Sequence, residues 1–556
     1  MIKDNKKETK NNFIMQAGIL ATAGIIVRLI GILYRSPIVL IIGDEGNGYY
    51  NTAYNIYTII LLVSSYSIPS AISKVIAARL GTGQYRNAHR LFTGSLVYVI
   101  IVGSIASLFC FTCADRLVGH NSAMVLRVFS PTIFFSGLLG CLRGYFQAHR
   151  SMVETSVSQI IEQILNAIVS ITAAYILTQS VIDNNETTRA IYGAIGSALG
   201  TGSGVVIALL FMFAVYLHSR KSIKERIQSD ENENVLSAGQ TALILVSMVT
   251  PIVLSTCIYN LSTASNLKIY QTITQKYQGM DEATSTTLYG LFSGKAMQII
   301  NIPVAISTAM SAALIPVISS SYERKEYDQT REKMASAIRA TMLIAIPSCV
   351  GLLVLSHPVA MLLYPQKASL DTVSLLIKVL SIAVVLYCLS TLSNGMLQGT
   401  GFVNRPVIHA AIALVVQALL LVFMLFKTDL GLYSLCLANV IYSLLMCIMN
   451  GKSLKTQLGY EQEIKKTFVL PFICAFIMGA VIWLTNQLGR QLYIYFTKGA
   501  QLSWSANALI LVIDLIFALF VYSISLIRSG AVDEEALKTI PKGQMMIKIC
   551  KKAGLL

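Results

Sequence analysis

Fourteen stretches of about 20 or more predominantly apolar residues follow one another along the chain, and about 20 such residues are what a helix needs to cross a bilayer. They fall at approximately 13–41, 50–78, 91–112, 123–147, 152–178, 191–218, 239–264, 286–319, 334–362, 373–398, 406–426, 431–449, 467–488 and 504–527. With 54 % hydrophobic and only 13 % charged residues, the composition excludes a soluble globular domain. The fold class expected is therefore an all-α polytopic membrane protein with about 14 transmembrane helices. The basic N-terminus followed by a long apolar run without a small-residue cleavage site reads as a retained first helix.

The net charge of +16 raises the question of nucleic acid, which the placement of the cations answers. With the N-terminus inside, loops and tails on that side hold about 27 of the 43 Lys and Arg, the opposite side about 8 and the spans about 8. That asymmetry predicts a multi-pass membrane protein with both termini cytoplasmic, and no nucleic-acid partner. The ten cysteines lie mostly in apolar runs, and the pair Cys110 and Cys113 stands without a second pair or a His cluster, so no metal site is assigned.

The chain contains an internal duplication. Arg127-Val-Phe-Ser130, thirteen residues, then Gly144-Tyr-Phe-Gln147 recurs as Lys378-Val-Leu-Ser381, thirteen residues, then Gly395-Met-Leu-Gln398, an offset of 251. SAISKVIA (Ser70–Ala77) followed by Tyr85 echoes AALIPVIS (Ala312–Ser319) followed by Tyr327, at an offset of 242. These echoes predict two parallel six-helix repeats with a substrate path at their interface, plus two further C-terminal helices. The divisions expected are an N-terminal lobe (1–218), a polar cytoplasmic linker (219–238), a C-terminal lobe (239–452), the last two spans (453–528) and a basic cytoplasmic tail (529–556).

Charged side chains inside the spans are costly, and they usually mark a pathway. Arg28 and Arg35 are seven residues apart in GIIVRLIGILYRSPIVLIIG, two turns and about 10 Å along one helix face. A diphosphate suits such a pair, because the guanidinium fork binds phosphate oxygens bidentately and keeps its proton; the competing reading has Arg35 reaching the outer interface. Lys295, Gln298 and Asn301 form a polar stripe in the eighth span, so Lys295 is a third candidate for the anion, or else an interfacial cation. Thr155, Gln159, Glu162 and Asn166 form a stripe on the fifth span. Gln159, Glu162, Asn166, Gln298 and Asn301 are read as cavity-lining polar residues, with interhelical polar glue as the alternative for the fifth span. Glu162 and Asp514 are candidates for ion coupling or for pairing. No phosphate-binding loop for ATP is present and no cofactor is assigned, which leaves membrane potential, Na⁺ or H⁺ as energy sources.

CLRGYFQAHRSMVETSVSQIIEQILN (Cys141–Asn166), VRLIGILYR (Val27–Arg35), GDEGNGYY (Gly43–Tyr50) and IPSAISKVIA (Ile68–Ala77) together resemble the polysaccharide-transport branch of the multidrug/oligosaccharidyl-lipid/polysaccharide (MOP) flippase superfamily. Within that branch the chain is similar to the stage V sporulation protein B group and its relatives, the lipid II flippases. The resemblance implies two six-helix lobes in a V, alternating access, and a cationic cavity in which Arg28, Arg35 and Lys295 match functional cations. The sequence departs from the better-known flippases in the helix 1 spacing, longer by one residue, in Lys as the helix 8 cation, and in Glu154 where relatives often carry Pro. The function expected is a non-enzymatic, monomeric flippase that moves an undecaprenyl-diphosphate-linked sugar, foremost the peptidoglycan precursor lipid II. The alternatives are a multidrug or cation exporter of the same superfamily, a membrane glycosyl polymerase or ligase, and a scaffold in spore-coat assembly without transport.

Overall fold

The structure, a computed structural model, describes residues 23–532 apart from 25, 29, 32, 63, 65–67, 150, 182–184 and 231–234. The basic N-terminus and all of the tail beyond Val532 thus lie outside the described residues. Every regular element described is a helix. Ten helices are long and apolar enough to cross a membrane. The runs 13–41, 50–78, 239–264 and 286–319 lie in segments that are interrupted or only partly described, so the tally of fourteen stays an expectation.

The chain forms two compact units, Met1–Gly290 and Leu291–Leu556. In the first, helical residues within 23–33 run into α1 (Arg35–Leu61), followed by α2 (Ile68–Gly81), α3 (Tyr85–Thr112), the short α4 (Ala114–Val118), α5 (His120–Ala148), α6 (Val153–Ser180), α7 (Glu186–Gln228), α8 (Ala238–Lys276) and α9 (Glu282–Gly290). In the second, a π-helical stretch (Leu291–Ala296) leads into α10 (Met297–Glu323), then α11 (Tyr327–Val354), α12 (Ser356–Leu363), α13 (Lys367–Gly399), α14 (Asn404–Lys427) and α15 (Tyr433–Leu458). A second π-helical stretch (Lys465–Val469) opens α16 (Leu470–Phe496), and α17 (Trp504–Arg528) closes the unit. The polar segment after the sixth span stays helical through Gln228. It then lies down on α3, where the Arg86 N–H donates to Asp230 (2.7 Å) and the Leu236 N–H to Asn87 (2.8 Å), before Ser237 and Gln240 build a capping box for α8.

The duplication is visible inside each unit. Helix α5 packs against α1, α2, α3 and α7, and its repeat counterpart α13 packs against α10, α11, α12 and α15. Gly144 of α5 lies on α2, where a Cβ would stand 2.7 Å from the Pro69 carbonyl, and Gly395 of α13 lies on α10 against Ser311. These glycines are equivalent at the offset of 251, and Pro69 and Ser311 at the offset of 242. In both units the missing side chain lets two backbones approach. Helix α7 uses the same device three times, with Gly196, Gly200 and Gly204 set against the backbone of α6 at Ala174, Ser170 and Glu162.

Candidate functional site

Arg28 lies among the helical residues within 23–33, and Arg35 opens α1. Tyr34 N–H bonds the Ile30 carbonyl (3.1 Å) and Ile38 N–H the Tyr34 carbonyl (3.3 Å), helical bonds that lead into α1 around Arg35. Arg28 is exposed and Arg35 half-buried, within electrostatic reach of the Tyr34 and Tyr50 hydroxyls. The helix then kinks at Gly43, whose φ of 70° and ψ of −177° a residue with a side chain rarely adopts. Beyond the kink Tyr50, Tyr54 and Tyr57 form an aromatic wall with Phe129, with ring centroids 4.7 Å apart for Tyr57 and Phe129 and 5.6 Å for Tyr50 and Phe129. The sequence reading passed over this wall, although the i, i+4, i+7 spacing in YYNTAYNIY carries its signal.

The polar stripe of α6 divides in two. Asn166, buried, donates to the Tyr34 hydroxyl (3.5 Å) and accepts from Ser170 (2.9 Å) and Thr201 (3.5 Å), tying α6 to both the arginine helix and α7. Glu162 pairs with Arg143 of α5 at 2.7 Å, while the Arg143 Nε donates to Ser158 (2.8 Å). Of the two roles open to Glu162, balancing an arginine is the one the geometry exhibits. Thr155 is buried and Gln159 half-buried along the same helix.

In the second unit Lys295 sits in the π-helical stretch with 0 % of its surface exposed. Its ammonium donates to Gln366 and to Ser369 (3.0 Å) and lies 5.4 Å from the Tyr364 ring centroid, while the Tyr364 hydroxyl donates to the Gly294 carbonyl (3.5 Å). These partners cluster at the turn between α12 and α13, about 70 positions along the chain, a separation at which local pattern carries no information. Gln298, half-buried, donates to the Ser293 carbonyl (3.5 Å), and Asn301 is exposed. Asp514 of α17 is fully buried, with one carboxylate oxygen accepting from Thr485 (2.6 Å) and the other from Asn486 (2.7 Å), both on α16. It joins the last two helices through neutral donors.

The comparisons with known proteins agree with this architecture. A family model described as polysaccharide biosynthesis protein matches residues 14–322, and the MatE model matches 293–423. The chain is 25 % identical over 488 residues to stage V sporulation protein B of Bacillus subtilis (strain 168), covering 85 % of this chain and 90 % of that protein. It is 22 % identical to the lipid II flippase MurJ of the same organism, covering 84 % and 86 %. Among solved structures, an inward-facing multidrug resistance MATE family transporter of the MOP superfamily superposes with a TM-score of 0.66 at 16 % identity, over 78 % of this chain and 94 % of that one. Lipid II flippase MurJ in an inward closed conformation superposes with 0.65 at 16 % identity, over 91 % and 98 %. The fold is that of the MOP superfamily transporters, and the chain belongs to the polysaccharide biosynthesis protein family.

Proposed function

We propose that the protein is a flippase that carries an undecaprenyl-diphosphate-linked sugar, lipid II foremost, from the inner to the outer leaflet of the bacterial cytoplasmic membrane. The observation that carries this reading is the pair Arg28 and Arg35, two turns apart on a helix of membrane-spanning composition, with Arg28 exposed. Hydrocarbon excludes an anionic diphosphate and its sugars but accepts the polyprenyl tail. Two forked cations about 10 Å apart suit an extended diphosphate. π-helical turns in repeat-related helices, at Leu62 and Ser64 in the second span and at Leu291–Ala296 in the eighth, supply backbone that can change register during alternating access. Both termini are cytoplasmic in this reading, and the similarity to stage V sporulation protein B and MurJ supports its substrate class.

The test is flipping of fluorescent lipid II and of other polyprenyl-diphosphate sugars in proteoliposomes, with and without an imposed potential, Na⁺ or H⁺ gradient. Movement of a lipid-linked sugar supports the reading, and the preferred sugar and gradient define it. Failure of every lipid-linked sugar overturns it. The MatE match favours a second reading, export of organic cations, which the same vesicles separate by uptake of a fluorescent cation.

A further inference from the structure

We propose that the aromatic wall of the first unit is a stacking platform for the sugar that follows the diphosphate, with Tyr54 as the ring the sugar meets. The platform presupposes the flippase reading and extends it from the diphosphate to the group bonded to it. The rings of the wall are not alike. Tyr50 is 7 % and Tyr57 3 % exposed, and their hydroxyls face Thr201 of α7 and Ser136 of α5. Tyr54 stands between them on α1, only half-buried, and its hydroxyl is neither enclosed nor hydrogen-bonded among the described residues. A tyrosine that serves packing alone usually finds a partner for its polar tip. The outer two tyrosines meet that condition, and the middle one is left open.

The open ring is held firmly by the others. Tyr54 stacks on Tyr50 with ring centroids 5.6 Å apart and planes at 11°, and it meets Tyr57 and Phe129 in tilted contacts, each at 5.8 Å. Phe129 is fully buried in α5, so the platform is fixed across two helices. A ring already fixed in this way gives up little further freedom when a ligand settles on it, which is the condition under which stacking yields affinity.

The neighbouring charge decides what the ring can take. Without it, an aromatic cluster suits an organic cation as well as a sugar. Arg35 stands at the edge of the wall: Tyr34 lies within electrostatic reach of both Arg35 and Tyr54, and Tyr50 within reach of Arg35. A guanidinium there repels a cation and attracts a phosphate. A diphosphate held by Arg35 brings the sugar bonded to it onto the wall. The C–H groups of a pyranose carry small positive charges that favour the negative face of an aromatic ring, and its hydroxyls can donate to or accept from the open Tyr54 tip. A polyprenyl chain has no use for that tip and keeps to the lipid.

Equilibrium binding to the purified full-length protein tests the platform, with two probes: undecaprenyl diphosphate, and the same lipid carrying one N-acetylhexosamine. The parent is expected to bind the sugar-bearing lipid about tenfold more tightly, and Tyr54→Ala to erase that difference while affinity for the bare diphosphate stays within about twofold. Tyr54→Phe keeps the ring and should keep most of the difference. Tyr54→Leu fills the space without a ring, should behave like the alanine variant, and decides the matter should Tyr54→Ala fail to fold. A difference that survives the loss of the ring would overturn the proposal, as would an equal loss of affinity for both lipids, which would make the wall structural. A parent that binds both lipids alike also overturns it and leaves the flippase reading standing on the bare diphosphate. A parent that binds neither lipid contradicts the flippase reading itself, and the platform falls with it.

Discussion

The two cationic centres of the molecule are built in opposite ways. In the first unit, Arg28 is exposed and Arg35 half-buried on one face of an apolar helix. In the second, Lys295 is fully buried in a π-helical stretch, with Gln366, Ser369 and the Tyr364 ring around its ammonium. Burial removes an ammonium's hydration, at an effective cost of several kcal/mol, so the fold must return it through hydrogen bonds and the ring quadrupole. A cation treated in this way is part of the packing before it is part of any ligand site. The exposed Arg28 keeps its access to water, and replacing it should disturb function more than the fold.

That contrast can be broken experimentally. The largest effect is expected for the double variant Arg28→Ala, Arg35→Ala. Each charge-assisted hydrogen bond contributes about 1.5–3 kcal/mol, so loss of two should slow flipping of lipid-linked sugar about a hundredfold or more. The thermal midpoint of the purified protein should fall only slightly, through the half-buried Arg35 beside Tyr34, and a large fall in midpoint would make the arginines structural instead.

Lys295→Ala should do the reverse. It empties a buried volume and strands the acceptors of Gln366 and Ser369, costing about 3 kcal/mol in a denaturation measurement. Lys295→Met keeps the volume, and removing the buried charge offsets the lost hydrogen bonds, so most of that stability should return. Transport that also returns with Met would show that the ammonium serves only packing.

Glu162→Gln sharpens the comparison at a partly exposed pair. Its loss of the Arg143 ion pair should cost about 1 kcal/mol. Gradient-driven flipping that survives in this variant is expected from the pairing role; its abolition with the midpoint intact would assign Glu162 to coupling.

The smallest effect belongs to Asp281, which accepts the Thr284 N–H (2.8 Å) at the start of α9. Hydrogen bonds from that backbone N–H and the Thr284 hydroxyl hold its carboxyl below its ordinary value. Its stabilisation is present above the unfolded-state value and is lost as pH falls through the lowered folded-state value. The thermal midpoints of Asp281→Asn and the parent should therefore differ slightly at neutral pH and converge near about pH 3.

The sequence was informative wherever the cause was local or repetitive. Apolar run length located the ten helices long and apolar enough to span, and the echo at offset 251 singled out Gly144 and Gly395, both of which prove to be points of close helix approach. What stayed hidden depends on contacts between distant residues. Nothing near Lys295 announces Gln366 or Ser369, and nothing in the α6 stripe says that Glu162 faces Arg143. The π-helical turns were equally invisible, since a widened turn arises from packing and leaves apolar periodicity almost unchanged.

The central claim is that Arg28 and Arg35 hold a diphosphate, and equilibrium binding of undecaprenyl diphosphate to the purified full-length protein tests it most directly. The account predicts that affinity falls about a hundredfold in the double alanine variant, and only partly when both arginines become lysine, which keeps the charge and loses the fork. Equal affinity of all three proteins would contradict it.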